Sequence, residues 1–185
     1  MTTPPTRRTL YVIVCAAGPA PRVGTLVSQA QDRGWDVQVI TTPNGREFID
    51  VPALEAQTGH AVRSDYRKPG DGTRSAPQAD AIIVAPATYN TINKWALGIS
   101  DTYALGILAE AIGLGIPVAV LPFVNAALAA HPAYHRNVAE LRAAGVTILH
   151  GKGYGPEPHA PGTGSALLDT FPWHLALDAV ETERR

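Results

Sequence analysis

Six consecutive residues, Pro86-Ala87-Thr88-Tyr89-Asn90-Thr91, directly follow an apolar run from Ala81 to Ala85. Thr88, Asn90 and Thr91 bring hydroxyls and a carboxamide that can hydrogen-bond a polar planar ring or a phosphate. Pro86 and Ala87 are small and rigid enough for a flat group to lie against the backbone. The same residues also suit a helix start, with Thr88 or Asn90 as the N-cap. A second amide, Asn125, follows Pro122-Phe123-Val124; it can hold a carboxylate by donating from its nitrogen, or cap the next helix. A third polar turn is Ala16-Ala17-Gly18-Pro19, where Gly18 and Pro19 precede a helix whose free amides attract an anion. It lacks Gly-x-Gly-x-x-Gly and is not a Walker loop. Thr42 adds a hydroxyl after another apolar run. His131 and His135 are four apart, one helical turn, but no Glu or third ligand accompanies them, so they read as helix-surface histidines and no metal is expected.

These groups need a frame. Apolar runs at Leu10 to Cys15, Val37 to Ile40, Ala81 to Ala85, Val118 to Leu121 and Val146 to Leu149 read as strands buried on both faces. Pro86, which donates no hydrogen bond, marks the expected end of the third. Between the runs lie helical patterns. Val23, Leu26, Val27 and Ala30 make an i, i+3, i+4, i+7 face that ends at Gly34. Further helices are expected near Val51 to Thr58, from Tyr89 towards Gly98, over Ala104 to Ile112 and over Pro132 to Gly145. Phe48 reads as a core aromatic on a short helical segment, and His60 as a surface histidine at the start of a strand. Alternating strands and helices imply an α/β protein with a central parallel sheet, three-layered and Rossmann- or flavodoxin-like. In such sheets ligands gather at the carboxyl ends of the strands. The turns at Gly18, Pro86 and Pro122 all stand there, where one flat phosphorylated ligand could bridge them.

The chain has 185 residues, enough for one full core. We expect a flexible arm over 1–9, an α/β domain over 10–150, a Gly/Pro-rich flap or tail over 151–170 and a C-terminal helix over 171–185. Residues 63–78 read as a long polar loop. Hydrophobic residues make up 45% and charged ones 17%, which excludes wholesale disorder. A net charge of −1 gives no electrostatic footprint for nucleic acid or an anionic membrane. No apolar stretch approaches the length of a membrane span. A single cysteine, Cys15, rules out an intramolecular disulfide and suits a reducing compartment, so a cytoplasmic protein is expected.

From about Leu10 to Leu149 the sequence resembles the homo-oligomeric flavin-containing cysteine decarboxylases. These include phosphopantothenoylcysteine decarboxylase and the enzymes that oxidatively decarboxylate C-terminal cysteines of lantibiotic precursors. Pro86-Ala87-Thr88-Tyr89-Asn90-Thr91, followed by Lys94, Gly98, Ile99 and Asp101, carries the resemblance most specifically. It implies FMN as cofactor, held by Pro86, Ala87, Thr88, Asn90 and Thr91. It also implies phosphate binding near Gly18 and Pro19, where relatives have Gly-Ser-Ile, and contacts from Thr42 and Phe48 to the ribityl chain and ring.

Asn125, in a partial match to the family's Pro-x-Met-Asn-x-x-Met-Trp clamp, is implied to bind the substrate carboxylate. Val124, Leu128 and Ala129 replace Met, Met and Trp. The implied substrate is a small molecule or peptide ending in a cysteine-derived carboxylate. Its thiol-bearing carbon is oxidised, and the thioaldehyde formed lets the neighbouring carboxylate leave as carbon dioxide. Relatives also imply a homo-oligomer, a trimer or dodecamer. Two departures stand out. No histidine lies between His60 and His131, and Gly72 falls near the place of the family's acid/base histidine; the flap lacks the cysteine of the coenzyme A pathway enzymes. A flavin-binding protein without decarboxylase activity is therefore the alternative expectation.

Overall fold

The computed structural model describes residues 8–66, 70 and 76–182. Five strands, β1 (Arg8–Val14), β2 (Trp35–Thr41), β3 (Ala81–Ala87), β4 (Val118–Pro122) and β5 (Thr147–Ile148), form one parallel sheet in the order β2-β1-β3-β4-β5. Seven α-helices are described: α1 (Gly24–Asp32), α2 (Val51–Thr58), α3 (Tyr89–Ala96), α4 (Tyr103–Gly113), α5 (Ala126–Ala129), α6 (Pro132–Ala143) and α7 (Trp173–Thr182).

The strands read as unbroken apolar runs because the sheet has a core on each side. Leu10, Val12 and Val14 enter one core with Leu26 and Val27 of α1, Leu54 of α2 and Leu177 of α7. Tyr11, Ile13 and Cys15 enter the other with Ile92 of α3, Leu108 of α4 and Leu141 of α6. The period-two alternation of a strand thus divides one sequence between two layers of helices. This is the three-layer arrangement expected from the alternating pattern, with the 2-1-3-4-5 strand order of flavodoxin-like folds.

Several boundaries moved. The third strand does not stop at Pro86. Its peptide bond to Ala85 is cis, the register shifts between Val84 and Ala87, and the chain stays in the sheet. Proline lacks only the donor, and the Pro86 carbonyl still accepts from Cys15 N at 3.1 Å while Ala87 O accepts from Phe123 N at 2.9 Å. At the amino end, Arg8 and Thr9 pair with Trp35 and Asp36, so the sheet begins inside the expected arm. At the other end Phe171, Trp173, Leu177 and Val180 are buried in the same core as α1.

Phe48 is not a core aromatic: it ends a 3₁₀ turn, Asn44–Phe48, with 43% of its surface exposed. His60 begins no strand. The chain touches the sheet once, where Arg63 bridges Ile40, and the His60 ring bonds Asp36 at 2.8 Å. Of the expected 63–78 loop, positions 67–69 and 71–75, including Gly72, lie outside the described residues.

Candidate functional site

Between β1 and β3 the connections leave the sheet in opposite directions: α1 and α2 cover one face, while α3 and α4 cover the other. Such a switch point opens a crevice at the carboxyl ends of the strands. A cleft of about 320 Å³ lies there, lined by Ala16 after β1, Thr42, Pro43 and Asn44 after β2, Thr88, Asn90, Thr91 and Lys94 on and before α3, and Thr102 and Leu105 at the start of α4.

Local chemistry explains each wall. Thr88 is the N-cap of α3, and its Oγ1 accepts from Thr91 N at 3.3 Å. Asn90 therefore does not cap; it stands exposed on the first turn. Asn90, Thr91 and Lys94 share a helix face because they are spaced by one, three and four residues. From Thr88 to Lys94 the α-helical rise amounts to about 9 Å, so α3 forms one long side of the cleft. Lys94 Nζ is held by Asp101 Oδ2 at 2.5 Å. On the opposite wall Thr42 Oγ1 accepts from Gly45 N at 3.1 Å and Thr42 N donates to Val14 O at 3.0 Å, which pins the turn after β2 to the end of β1. Gly45 is required for this approach, since a Cβ there would stand 2.5 Å from Val14 O.

Beneath the cleft, Cys15 Sγ lies 3.3 Å from Thr91 Oγ1, which lies 3.0 Å from Thr88 Oγ1. Burial pushes the Cys15 thiol up, opposed by its hydrogen bonds with Thr91 and Thr88. A second support spans two helices: Asn137 Nδ2 donates to Asn93 Oδ1 at 2.6 Å, and Asn93 Nδ2 donates to Tyr89 O at 2.9 Å. Asn137 is 2% exposed, so this bond fixes the outer face of α3 against α6.

The structure thus brings Thr42, Thr88, Asn90 and Thr91 together. Pro86 and Ala87 lie behind them in β3, buried. Gly18 and Pro19 stand apart from this cleft. A Cβ on Gly18 would meet Leu168 Cδ2 at 2.9 Å and Phe123 Cε1 at 3.2 Å, so the flap packs onto that turn. Phe48 is likewise outside the cleft wall. Asn44, Thr102 and Leu105 were not among the expected site residues, and Lys94 stood only within the flavin-binding signature, with no role of its own. Thr102 carried a legible signal, a threonine immediately before an apolar helix, where an N-cap belongs; its Oγ1 accepts from Leu105 N at 3.3 Å.

Asn125 caps α5, its Oδ1 accepting from Leu128 N at 2.9 Å, while its Nδ2 has no hydrogen-bond partner among the described residues. Beside it, the flap runs parallel to the chain: His159 bridges Asn125, and Ala126 N donates to His159 O at 2.7 Å. Phe123, Val124, His150, Glu157, His159 and Phe171 help to enclose a second, mostly apolar cavity of about 190 Å³ at the end of β4.

His60 is far from either. Its partner Asp36 is near the opposite end of β2, and the strand from Asp36 to Thr41 spans about 17 Å. His131 caps α6, its Nδ1 accepting from Ala133 N at 3.1 Å. Among the described residues no three His, Cys, Asp or Glu side chains are grouped to hold a metal ion, and no helix is long and apolar enough to cross a membrane.

Two kinds of relative share this frame. The coenzyme A biosynthesis bifunctional protein CoaBC of Bacillus subtilis is 33% identical over 137 residues, 70% of this chain and 33% of that protein. CoaBC of Mycolicibacterium smegmatis is 28% identical over 189 residues, 92% of this chain and 45% of that protein. The chain therefore spans less than half the length of these curated relatives. Among solved structures, the FMN-dependent cysteine decarboxylase TvaF from thioviridamide biosynthesis has a TM-score of 0.70 at 25% identity, covering 94% of this chain and 98% of that one. The epidermin biosynthesis protein EpiD from Staphylococcus aureus has a TM-score of 0.65 at 27% identity, covering 76% of this chain and 81% of that one. The Flavoprotein family model matches residues 2–168, through all five strands and every residue of the cleft, and the chain belongs to that family.

Proposed function

We propose that the cleft at the β1/β3 switch point binds FMN and that the protein oxidatively decarboxylates a cysteine-derived carboxylate, on a peptide or a phosphopantothenoylcysteine-like molecule. The observation that carries the cofactor is the cleft itself. Its walls combine hydroxyls (Thr42, Thr88, Thr91, Thr102), carboxamides (Asn44, Asn90), one ammonium (Lys94) and the apolar Ala16 and Leu105. That donor set fits a flat heteroaromatic ring with polar edges and an anionic tail. When bound, FMN supplies the two-electron oxidation of the thiol-bearing carbon.

The protein's own contribution is binding and orientation. Thr88, Asn90 and Thr91 are held in place by the cap, by Cys15 and, through Asn93, by Asn137. Asn125 holds the substrate carboxylate, because its cap bond consumes Oδ1 and leaves Nδ2 as the free donor. Capping and carboxylate binding thus use opposite ends of one amide. The flap beside Asn125 excludes water from the reacting carbon. By the same reading the protein works as a homo-oligomer, trimer or dodecamer, in the cytoplasm.

A specific observation favours a second reading, an FMN-binding protein that does not decarboxylate. His60 is separated from the cleft by the length of β2, so it cannot stand in for the acid/base histidine of the decarboxylases. A positioned acid/base contributes on the order of a hundredfold or more. The first test is the visible absorption spectrum of freshly purified protein, with mass identification of any molecule released on denaturation. Released FMN upholds the cofactor; a colourless protein that ignores added FMN refutes both readings. Release of carbon dioxide from peptides ending in cysteine then separates the enzyme from the carrier.

A further inference from the structure

The flap sets an imidazole beside Asn125. His159 pairs with Asn125 in a parallel bridge: His159 N donates to Val124 O at 3.3 Å, and Ala126 N to His159 O at 2.7 Å. Paired residues on neighbouring strands lie about 4.8 Å apart and turn their side chains to one face. The ring has a fixed polarity. Its Nδ1 lies 3.0 Å from Ala160 O; a carbonyl only accepts, so Nδ1 donates and the neutral ring keeps its lone pair on Nε2. Phe123 packs against the ring with centroids 4.7 Å apart. A Cβ on Gly164 would stand 3.1 Å from Nε2, so a glycine there leaves that edge its space.

Among the described residues, the titratable side chains that line the cavity at the end of β4 are His150, Glu157 and His159. Burial, then the charges of Arg142 and His135, push His150 down to about 4, which makes it a weak base. Glu157 is exposed. Pro122 of this cavity pairs with Ala87, the residue before Thr88 of the cleft. Cavity and cleft therefore adjoin across one strand spacing.

We propose that His159 is a catalytic residue, its Nε2 taking the thiol proton of a cysteine-derived substrate whose carboxylate Asn125 holds. In cysteine the carboxyl group and the thiol-bearing carbon hang on the same carbon. A carboxylate seated on Asn125 thus brings the thiol to the position of its bridge partner. The S–H bond breaks, an Nε2–H bond forms, and the electron pair stays on sulfur as a thiolate beside the imidazolium. That pair supports oxidation of the neighbouring carbon. After carbon dioxide has left, the proton returns from Nε2 to the enethiolate sulfur. The inference rests on the proposed decarboxylase reading and supplies the acid/base group that His60 cannot.

Two variants isolate Nε2. His159→Phe keeps a ring against Phe123, and His159→Asn keeps a donor for Ala160 O. The first measurement uses FMN-loaded protein with the flavin reduced, so that substrate binds without being oxidised. Ultraviolet absorbance of the thiolate is then read as a peptide ending in cysteine, or phosphopantothenoylcysteine, is added, with a peptide ending in serine as the blank. The second is release of carbon dioxide with the flavin oxidised. The wild-type protein should generate thiolate on binding. Both variants should bind FMN as tightly as the wild type, generate no thiolate, and release carbon dioxide about a hundredfold more slowly. If either variant keeps the thiolate signal or the wild-type rate, or if the wild type decarboxylates with no thiolate signal, the inference is overturned and the decarboxylase reading stands. If the wild type releases carbon dioxide from neither substrate, that reading fails and takes the inference with it.

Discussion

Gly45→Ala tests whether the turn after β2 must press on β1 to shape the cleft. A Cβ at this position would stand 2.5 Å from Val14 O and 2.8 Å from Thr42 Oγ1, whereas ordinary contact begins near 3.4 Å. The shortfall, 3.4 minus 2.5, is about 0.9 Å, and Val14 O is backbone inside the sheet, so the turn must yield. Moving it breaks or lengthens the bond from Thr42 N to Val14 O and carries the Thr42 and Asn44 wall with it. Overpacking of this kind costs about 1–3 kcal/mol. A displacement of that size at one wall weakens a ligand seated between Thr42 and Thr88 by about tenfold or more. Gly113→Ala is the control: it ends α4 with nothing within 4 Å of the new Cβ, so it gains roughly 0.5–1 kcal/mol of helix propensity. Urea denaturation gives both stabilities, and quenching of FMN fluorescence gives both affinities. If Gly45→Ala matches the wild type in midpoint and in FMN affinity, the turn does not control the cleft and the reasoning is wrong.

Asn125→Asp keeps the α5 cap, since either side chain accepts from the Leu128 amide, but replaces the free amide donor with negative charge. It should fold with unchanged stability and show at least a tenfold rise in KM for a cysteinyl peptide. Asn125→Ala loses the cap as well, about 1 kcal/mol in urea. Burial, then the charges of Arg142 and His135, push His150 down to about 4. Because the folded value lies below the unfolded one, near 6.5, stability is complete above that value and falls as pH drops from about 6.5 to 4. One pKa unit is about 1.4 kcal/mol, and solvent screening at a partly exposed ring reduces the loss to about 1–2 kcal/mol. His150→Gln should remove this share of the acid sensitivity, measured by urea denaturation at stepped pH. Leu177→Ala in the fully buried face of α7 should cost about 2–5 kcal/mol; a negligible change would mean that α7 is not part of the domain core.

Much of the frame was present in residue order alone. Doubly buried parallel strands are uniformly apolar and helices show their 3.6 period, so β1 to β4, α1, α2, α4 and α6 were legible from pattern, as was the polar run Thr88, Asn90 and Thr91. These are local properties, set by which neighbours a few residues must bury. The end of β3 was not local. Proline denies the ladder a donor, but whether its carbonyl finds one depends on Cys15, some seventy residues away. For the same reason Phe48 and His60 were misplaced: apolarity in Phe48 does not say which layer covers it, and the partner of His60 is Asp36 across the edge of the sheet.

The site followed the same rule. Residue types identified groups able to bind a ring or a phosphate, but strand order decided which of them converge. Placing β1 between β2 and β3 brings Thr42, Thr88 and Lys94 around one cleft and leaves Gly18 under the flap. Only in three dimensions did a lone cysteine join the threonines beneath the cleft, because the bond between Cys15 and Thr91 closes a contact that no short-range pattern encodes.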